Sequence, residues 1–294
     1  MKPHLLLALL LLPWIARAEE PPAPPDPLAA AQKIVDGLHF QEGDIKLGDG
    51  FAEVRLPDDF RFLGPDDAET VLTKLWNNPP RKEKPLGLLV PAHGSPIDAN
   101  SWAVILTYVK DGYVKDNDAT SIDYAKLLKQ MQESIHAANT ERAKQGYPEM
   151  ELVGWAEPPR YDATTHKMYW AKALKRSGEE RETLNYNIRI LGRHGVLVLN
   201  AVAGMDQLPT VEAATPALLG MVDFTEGNRY ADYKPGADKV ATYGLAALVA
   251  GGILAKAGAF KFLWVGLLAL KKFIVVGVVA AGAWLKQFFK KSSM

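Results

Sequence analysis

The loop Pro91-Ala92-His93-Gly94-Ser95-Pro96 holds the pairing best suited to covalent chemistry. A histidine two residues from a serine supplies the base and nucleophile of a hydrolase, and Asp98 follows close enough to orient the ring. Glycine and proline at alternating places suit equally well a turn whose polar side chains cap backbone groups. A second concentration of functional types is Gly154-Trp155-Ala156-Glu157-Pro158-Pro159-Arg160-Tyr161-Asp162, which reads as an aromatic, charged, proline-rich turn after a strand. Trp155, Glu157, Arg160 and Tyr161 are its candidate binding residues, and His166 joins them from the following turn, Thr164–Lys167. The competing reading of that segment is a rigid loop whose rings cover the edge of the core.

Asp116, Asp118 and Asp123 precede a long helix, where carboxylates complement the helix N-terminus with no cation needed. Asn185 and Asn187 alternate with Tyr186 and Ile188, which places the asparagines on a solvent-facing side of a strand. No recognised motif completes a catalytic centre. The chain has no His-Glu-x-x-His pair, Walker loop, Gly-x-Ser-x-Gly elbow or EF-hand loop. Gly48-Asp49-Gly50 lacks the third glycine and following helix of a dinucleotide fingerprint. With no cysteine, disulfides and thiolate metal sites are excluded, and no metal or cofactor is expected.

The elements that must hold these residues are legible from period and punctuation. Asp44–Leu47 and Phe51–Leu56 flank a glycine-rich turn, and Thr183–Leu191 and Val196–Ala203 flank Gly192-Arg193-His194-Gly195, so both pairs predict hairpins. Strands are also predicted at Leu86–Val90, Trp102–Tyr108, Tyr113-Val114, Glu151–Ala156 and Lys167–Leu174. Helices are expected from Pro65 to the Pro79-Pro80 stop, from about Ile122 to Gln145 with Thr120 or Ser121 as cap, and from Thr215-Pro216 to about Val222. Strands joined by tight turns with helices between them predict an α+β fold, a mainly antiparallel sheet with two or three helices. A C-terminal hydrophobic helical membrane anchor is expected to follow.

Both ends of the chain are lipid-directed in character. Lys2, an apolar run from Leu5 to Leu12 and the small-residue ending Ala16-Arg17-Ala18 make the three parts of a secretory signal peptide, residues 1–18. A proline-rich spacer, residues 19–27, follows, then an exported domain over 28–238 and an anchoring tail over 239–294. All 34 acidic residues lie between Glu19 and Asp238, whereas the chain from Lys239 onward has eight lysines and no acid. An acidic body with a basic apolar tail fits a bilayer partner and argues against nucleic acid. Ala241 to about Phe260 is apolar enough to insert. From Phe262 to Leu285 the apolar gain is offset by Lys271 and Lys272, so one span with a surface-lying basic helix and a two-span hairpin both remain open.

Three stretches, Val153–Asp162, Leu184–Arg193 and the juncture Asp223–Lys239, resemble a family of uncharacterised, predicted membrane-anchored bacterial proteins sharing a domain of unknown function. The resemblance covers most of the chain from about Leu28 and carries no catalytic residue or cofactor over. It implies a bacterial source, and with the signal peptide, a folded domain on the periplasmic side of the inner membrane. The function expected from all this is a non-enzymatic binding or assembly role with an envelope protein partner. The alternative is a membrane-tethered hydrolase using His93 and Ser95.

Overall fold

The structure, a computed structural model, describes residues 26–78, 83–98, 100–144 and 146–251. Expectations for the signal peptide, most of the proline-rich spacer and the tail beyond Gly251 fall outside the described residues.

Alternation builds a sheet buried on both sides. Along the chain run α1 (Pro27–Asp36), β1 (Phe40–Gln41), β2 (Asp44–Leu47), β3 (Ala52–Arg55), β4 (Phe60–Leu63), α2 (Pro65–Thr70), β5 (Gly87–Pro91), β6 (Ala103–Val109) and β7 (Tyr113–Lys115). Then follow α3 (Tyr124–Lys144), β8 (Met150–Asp162), β9 (Lys167–Arg176), β10 (Thr183–Leu191), β11 (Val196–Gly204), α4 (Leu208–Met221), β12 (Val222–Phe224), β13 (Val240–Gly244) and α5 (Leu245–Val249). Eight strands form one sheet in the order β1-β4-β5-β6-β11-β10-β9-β8, antiparallel at every pairing. The α+β expectation with an antiparallel sheet holds, but the described residues contain five α-helices where two or three were expected.

On one face, Leu184, Tyr186, Ile188 and Ile190 of β10 and Leu197 and Leu199 of β11 pack against the three-stranded sheet β12-β3-β2 and α4. On the other face two separate apolar clusters form. Leu127, Met131 and Ile135 of α3 and Leu245, Leu248 and Val249 of α5 cover the β8–β9 side. The α2 region, with Val71, Leu72, Leu75 and Trp76, covers β4, β5 and β6.

Several local readings are corrected, each for a physical reason. Pro27, assigned to the spacer, is the first helical residue of α1, where its missing N–H costs nothing, and Asp26 caps the helix through Leu28 N (3.0 Å). Asp123, not Thr120 or Ser121, caps α3, its carboxylate accepting from Lys126 N at 2.9 Å. The helix expected at Thr215 starts about two turns earlier, at Leu208, and tolerates Pro216 inside because Val211, Leu218 and Met221 anchor it on both sides of the proline. After Thr70 the helix widens into a π turn over Val71–Leu75, so that Trp76 N–H reaches Val71 O at 2.9 Å.

Two further corrections bear on the site. Gly154–Asp162 is not a turn; it is the second half of β8, the outermost strand of the large sheet. Its pairing with β9 slips at Leu152/Gly154, Trp155/Glu157 and Glu157/Arg160. An edge strand with bulges is where Pro158 and Pro159 are tolerated, since no ladder partner is left without a donor. At the C-terminal side, the segment expected to begin a membrane span instead continues the body. Val240–Gly244 pairs in parallel with β7, and α5 is capped by Asp118, whose carboxylate accepts from Leu245 N (3.1 Å) and Ala246 N (3.2 Å). No helix among the described residues is long and apolar enough to cross a membrane.

Candidate functional site

The strand directions decide which candidates can meet. His93 follows the C-terminal end of β5, and His166 precedes the N-terminal end of β9. With β6, β11 and β10 between them and antiparallel pairing throughout, the two histidines lie at opposite ends of the sheet, about 19 Å apart across it. His93 is exposed. Asp98 accepts from Ser95 N (2.7 Å), and Ser95 Oγ accepts from Ile97 N (3.5 Å), so the carboxylate and hydroxyl serve the turn. Arg61 donating to Gly94 O and Trp76 Nε1 donating to Pro96 O, both at 3.0 Å, pin the loop to the body.

Glu157 lies mid-strand on β8, accepting from Tyr186 Oη at 2.6 Å, with Arg160 at 3.6 Å. Burial and that hydrogen bond push the Tyr186 hydroxyl above its ordinary range. Trp155 donates its indole N–H to Tyr124 O at 3.3 Å, tying β8 to α3. Of the five binding candidates, Glu157 meets Arg160, and Tyr161 meets His166.

The meeting point of Tyr161 and His166 is a third element, the loop after β7. Tyr161 Oη donates to Asp116 Oδ2 at 2.7 Å and stands 3.1 Å from His166 Nδ1. A hydroxyl has one proton, so with it given to Asp116 the oxygen accepts from His166 Nδ1–H, which fixes that tautomer. His166 lies 3.6 Å from Asp116 and adopts a left-handed backbone (φ 54°) that closes the β8–β9 turn. Its ring packs on Tyr230, which stacks on Tyr113, which stacks in turn on Tyr233 at 3.9 Å. Burial opposes ionisation of Asp116, but the hydrogen bond from Tyr161, with the Tyr230 hydroxyl nearby, outweighs it and holds the carboxyl below its usual range. Burial and Asp116 drive the Tyr161 hydroxyl the other way, above its ordinary value. A phenol so raised is a poor base or nucleophile at neutral pH. The cluster joins β7, the β8–β9 turn and the juncture near Tyr230.

Buried polar atoms without partners occur singly at Arg61, Asn78 and Arg176, and several lie together on the helix-covered face of the large sheet between its two apolar clusters. Register places them. Asn187 of β10 faces Trp170 of β9 on one side and Asn200 of β11 on the other, and Lys172 faces Asn185 one step along. Directly paired residues share a face, with Cβ atoms about 4.5–5.5 Å apart. Asn185 and Asn187 are therefore not on a solvent face: their exposures are 0% and 3%. Asn187 Nδ2 donates to Asn185 O and Oδ1, both at 2.9 Å, and Arg189 donates to Ile188 O and Asn187 Oδ1 while its guanidinium lies 4.9 Å from the Trp170 ring centroid. Asn200, 4% exposed, has both side-chain polar atoms unpartnered, and Trp170, 1% exposed, has a free indole N–H. Lys172 and Arg189 keep some accessible surface. Enough protein nevertheless surrounds each that burial pushes Lys172 down to about 8 and Arg189 to about 10.

A family model described as a protein of unknown function, DUF2167, matches residues 39–282. The chain belongs to the DUF2167 family. The match takes in the His93 loop, the Asp116–Tyr161–His166 cluster and the polar row alike, and begins after α1. Among curated proteins none matches this DUF2167 chain. Two solved structures are similar to it. The solution structure of cyanobacterial PsbP (CyanoP) from Synechocystis sp. PCC 6803 has 11% identity and a TM-score of 0.35, covering 63% of this chain and 92% of its own. The crystal structure of LpqN, involved in cell envelope biogenesis of Mycobacterium tuberculosis, has 18% identity and a TM-score of 0.32, covering 66% and 96%. Likeness at this level carries no functional argument.

In two other places of the DUF2167 domain most polar groups are already engaged, Arg176 Nε being an exception. A cleft of 480 Å³ between α3 and the β8–β9 side is lined by Asn139, Arg176 and Glu179 among others. Asn139 is locked onto Met150 by two 2.9 Å hydrogen bonds, and Arg176 is paired with Glu179 at 2.7 Å. The three carboxylates Asp116, Asp118 and Asp123 divide among a tyrosine, the α5 N-terminus and the α3 N-terminus. No group of three metal-binding side chains occurs among the described residues.

The polar row was missed because a strand buried on both faces has no solvent side to read. The available signal was composition: two asparagines and an arginine on consecutive same-face positions of a strand that is apolar at every other place.

Proposed function

We propose that this DUF2167 chain is a non-enzymatic envelope protein, whose body binds another envelope component through the polar row of its large sheet. Its working place is the periplasmic side of the bacterial inner membrane, where the basic, acid-free tail after Lys239 keeps it in contact with the bilayer. A protein of the envelope is the expected partner.

The observation that carries this reading is Asn200. A buried amide with neither its donor nor its acceptor engaged is costly; Asn78 shares that state, but Asn200 stands in register with the free indole of Trp170 and beside the cations of the polar row, where a ligand would engage it. The reactive types elsewhere are already committed: Asp98 and Ser95 to their own turn, Asp116 and Tyr161 to each other.

Complementation of a deletion strain tests the reading. Chains carrying His93→Ala or Ser95→Ala should restore whatever phenotype the deletion produces. Asn200→Leu should not, at equal abundance. Loss of function with His93→Ala or Ser95→Ala, and none with Asn200→Leu, would turn the assignment to the tethered hydrolase.

A further inference from the structure

Charge bookkeeping along the polar row identifies what kind of group would complete it. Three cations elsewhere in the body have carboxylate partners, Lys167 with Asp223 at 3.0 Å, Arg176 with Glu179 at 2.7 Å and Arg193 with Asp238 at 2.7 Å, and the buried Arg142 donates to Pro148 O at 2.9 Å. Lys172 and Arg189 have no carboxylate partner among the described residues, and the residues from Gly252 to Met294 contain no acidic side chain that could provide one. The charge acting on Lys172 is that of Arg189, and both cations remain protonated at neutral pH.

The free hydrogen-bonding capacity is donor-rich as well. Trp170 Nε1–H, Asn200 Nδ2 and the Lys172 ammonium are donors, against a single unused acceptor, Asn200 Oδ1. Trp170 and Lys172 are neighbours on the same face of β9, and Asn200 is two strands over in the same cross-strand line as Trp170. Two hydrogen bonds of about 2.9 Å on opposite sides of one oxygen already bridge about 6 Å, so an oxyanion's several oxygens can reach donors distributed over this row. A cation is repelled here, and a neutral amide would leave two positive charges uncompensated.

We propose that Lys172, Trp170 and Asn200, backed by Arg189, form a binding site for an oxyanion group, phosphate or carboxylate. This rests on the reading of the polar row as the binding face. The same chemistry is offered by free solutes and by the headgroups of anionic lipids.

Full-length protein in neutral detergent micelles, labelled with ¹⁵N, allows a direct test through the indole N–H resonance of Trp170, identified by its loss in Trp170→Phe. Inorganic phosphate and acetate are titrated against chloride at matched ionic strength, and phosphatidylglycerol is titrated into the micelles. A saturable shift is expected, at least tenfold weaker in Lys172→Gln and in Asn200→Leu, with unchanged backbone resonances reporting that both variants fold. Saturation by soluble phosphate or acetate makes the ligand a solute; saturation by the lipid alone makes it a headgroup. No shift in any arm, or shifts of equal affinity in wild type and Lys172→Gln, would overturn the oxyanion site. If Asn200→Leu still fails to complement while no oxyanion binds, the binding face stands and its anion chemistry falls; if it complements as well, both fall.

Discussion

Asn200 is the position where stability and function part company. An unpartnered buried amide is destabilising, and replacing it by an apolar side chain of similar size removes a desolvation cost of about 1 kcal/mol or more. Asn200→Leu is therefore expected to raise the thermal midpoint by about 2–4 °C while abolishing function, measured by calorimetry beside complementation. A purely structural asparagine would show the opposite sign. Tyr161→Phe makes the contrasting case: it strips Asp116 of a 2.7 Å donor and should lower stability by about 1 kcal/mol with no loss of function, checked by the same pair of measurements. Trp155, Glu157 and Arg160 read as a binding lip because prolines broke their segment, and in the structure each is engaged by α3, β10 or its neighbour.

At the scale of elements, the link from body to tail is made by paired charges and stacked rings. Arg193, in the β10–β11 turn, donates to both oxygens of Asp238 at 2.7 and 2.9 Å just before β13. The hydrogen bond from Arg193 holds the Asp238 carboxyl at about 2, below its ordinary 3.8. A depressed folded-state value stabilises the fold above about pH 4 and loses that contribution as pH falls through about 2. Asp232, held at about 2 by Arg229, acts in the same direction. Protection of the Val240–Gly244 amides, their exchange rate relative to an unstructured chain at the same pH, should therefore fall between pH 4 and 2, and Arg193→Gln should show the lower protection already at pH 5; an unchanged profile in that variant would contradict the latch. Most elements were legible, and the failures have a common cause. The two hairpins, β5, β6 and α3 were readable because local alternation or helical period agreed with their tertiary setting. The second half of β8 reads as a turn in the sequence because its prolines are allowed only by its place at the edge, which is a property of the sheet order. β13 was read as membrane-directed because Ala241–Val249 is apolar, and apolarity does not distinguish lipid from the interior of a fold.

For the whole molecule, that last point changes the arithmetic of the tail. With residues through Val249 engaged by the body, any crossing of about 20 residues has to come from the 34 residues between Gly252 and Leu285. Two crossings and a turn do not fit in that length. For the membrane attachment proposed above, a single crossing is the expected outcome, with Lys286, Lys290 and Lys291 on the cytoplasmic side. A reporter fused after Met294 should be active in the cytoplasm, and activity only outside it would contradict the single crossing. For the function proposed above, occupancy of the polar row on the covered side of the sheet is the central claim. Native mass spectrometry of full-length protein extracted in mild detergent measures that occupancy most directly. Wild type should retain a bound species of defined mass that Asn200→Leu and Lys172→Gln release; bare-chain masses for all three proteins under conditions that preserve the fold would contradict the account.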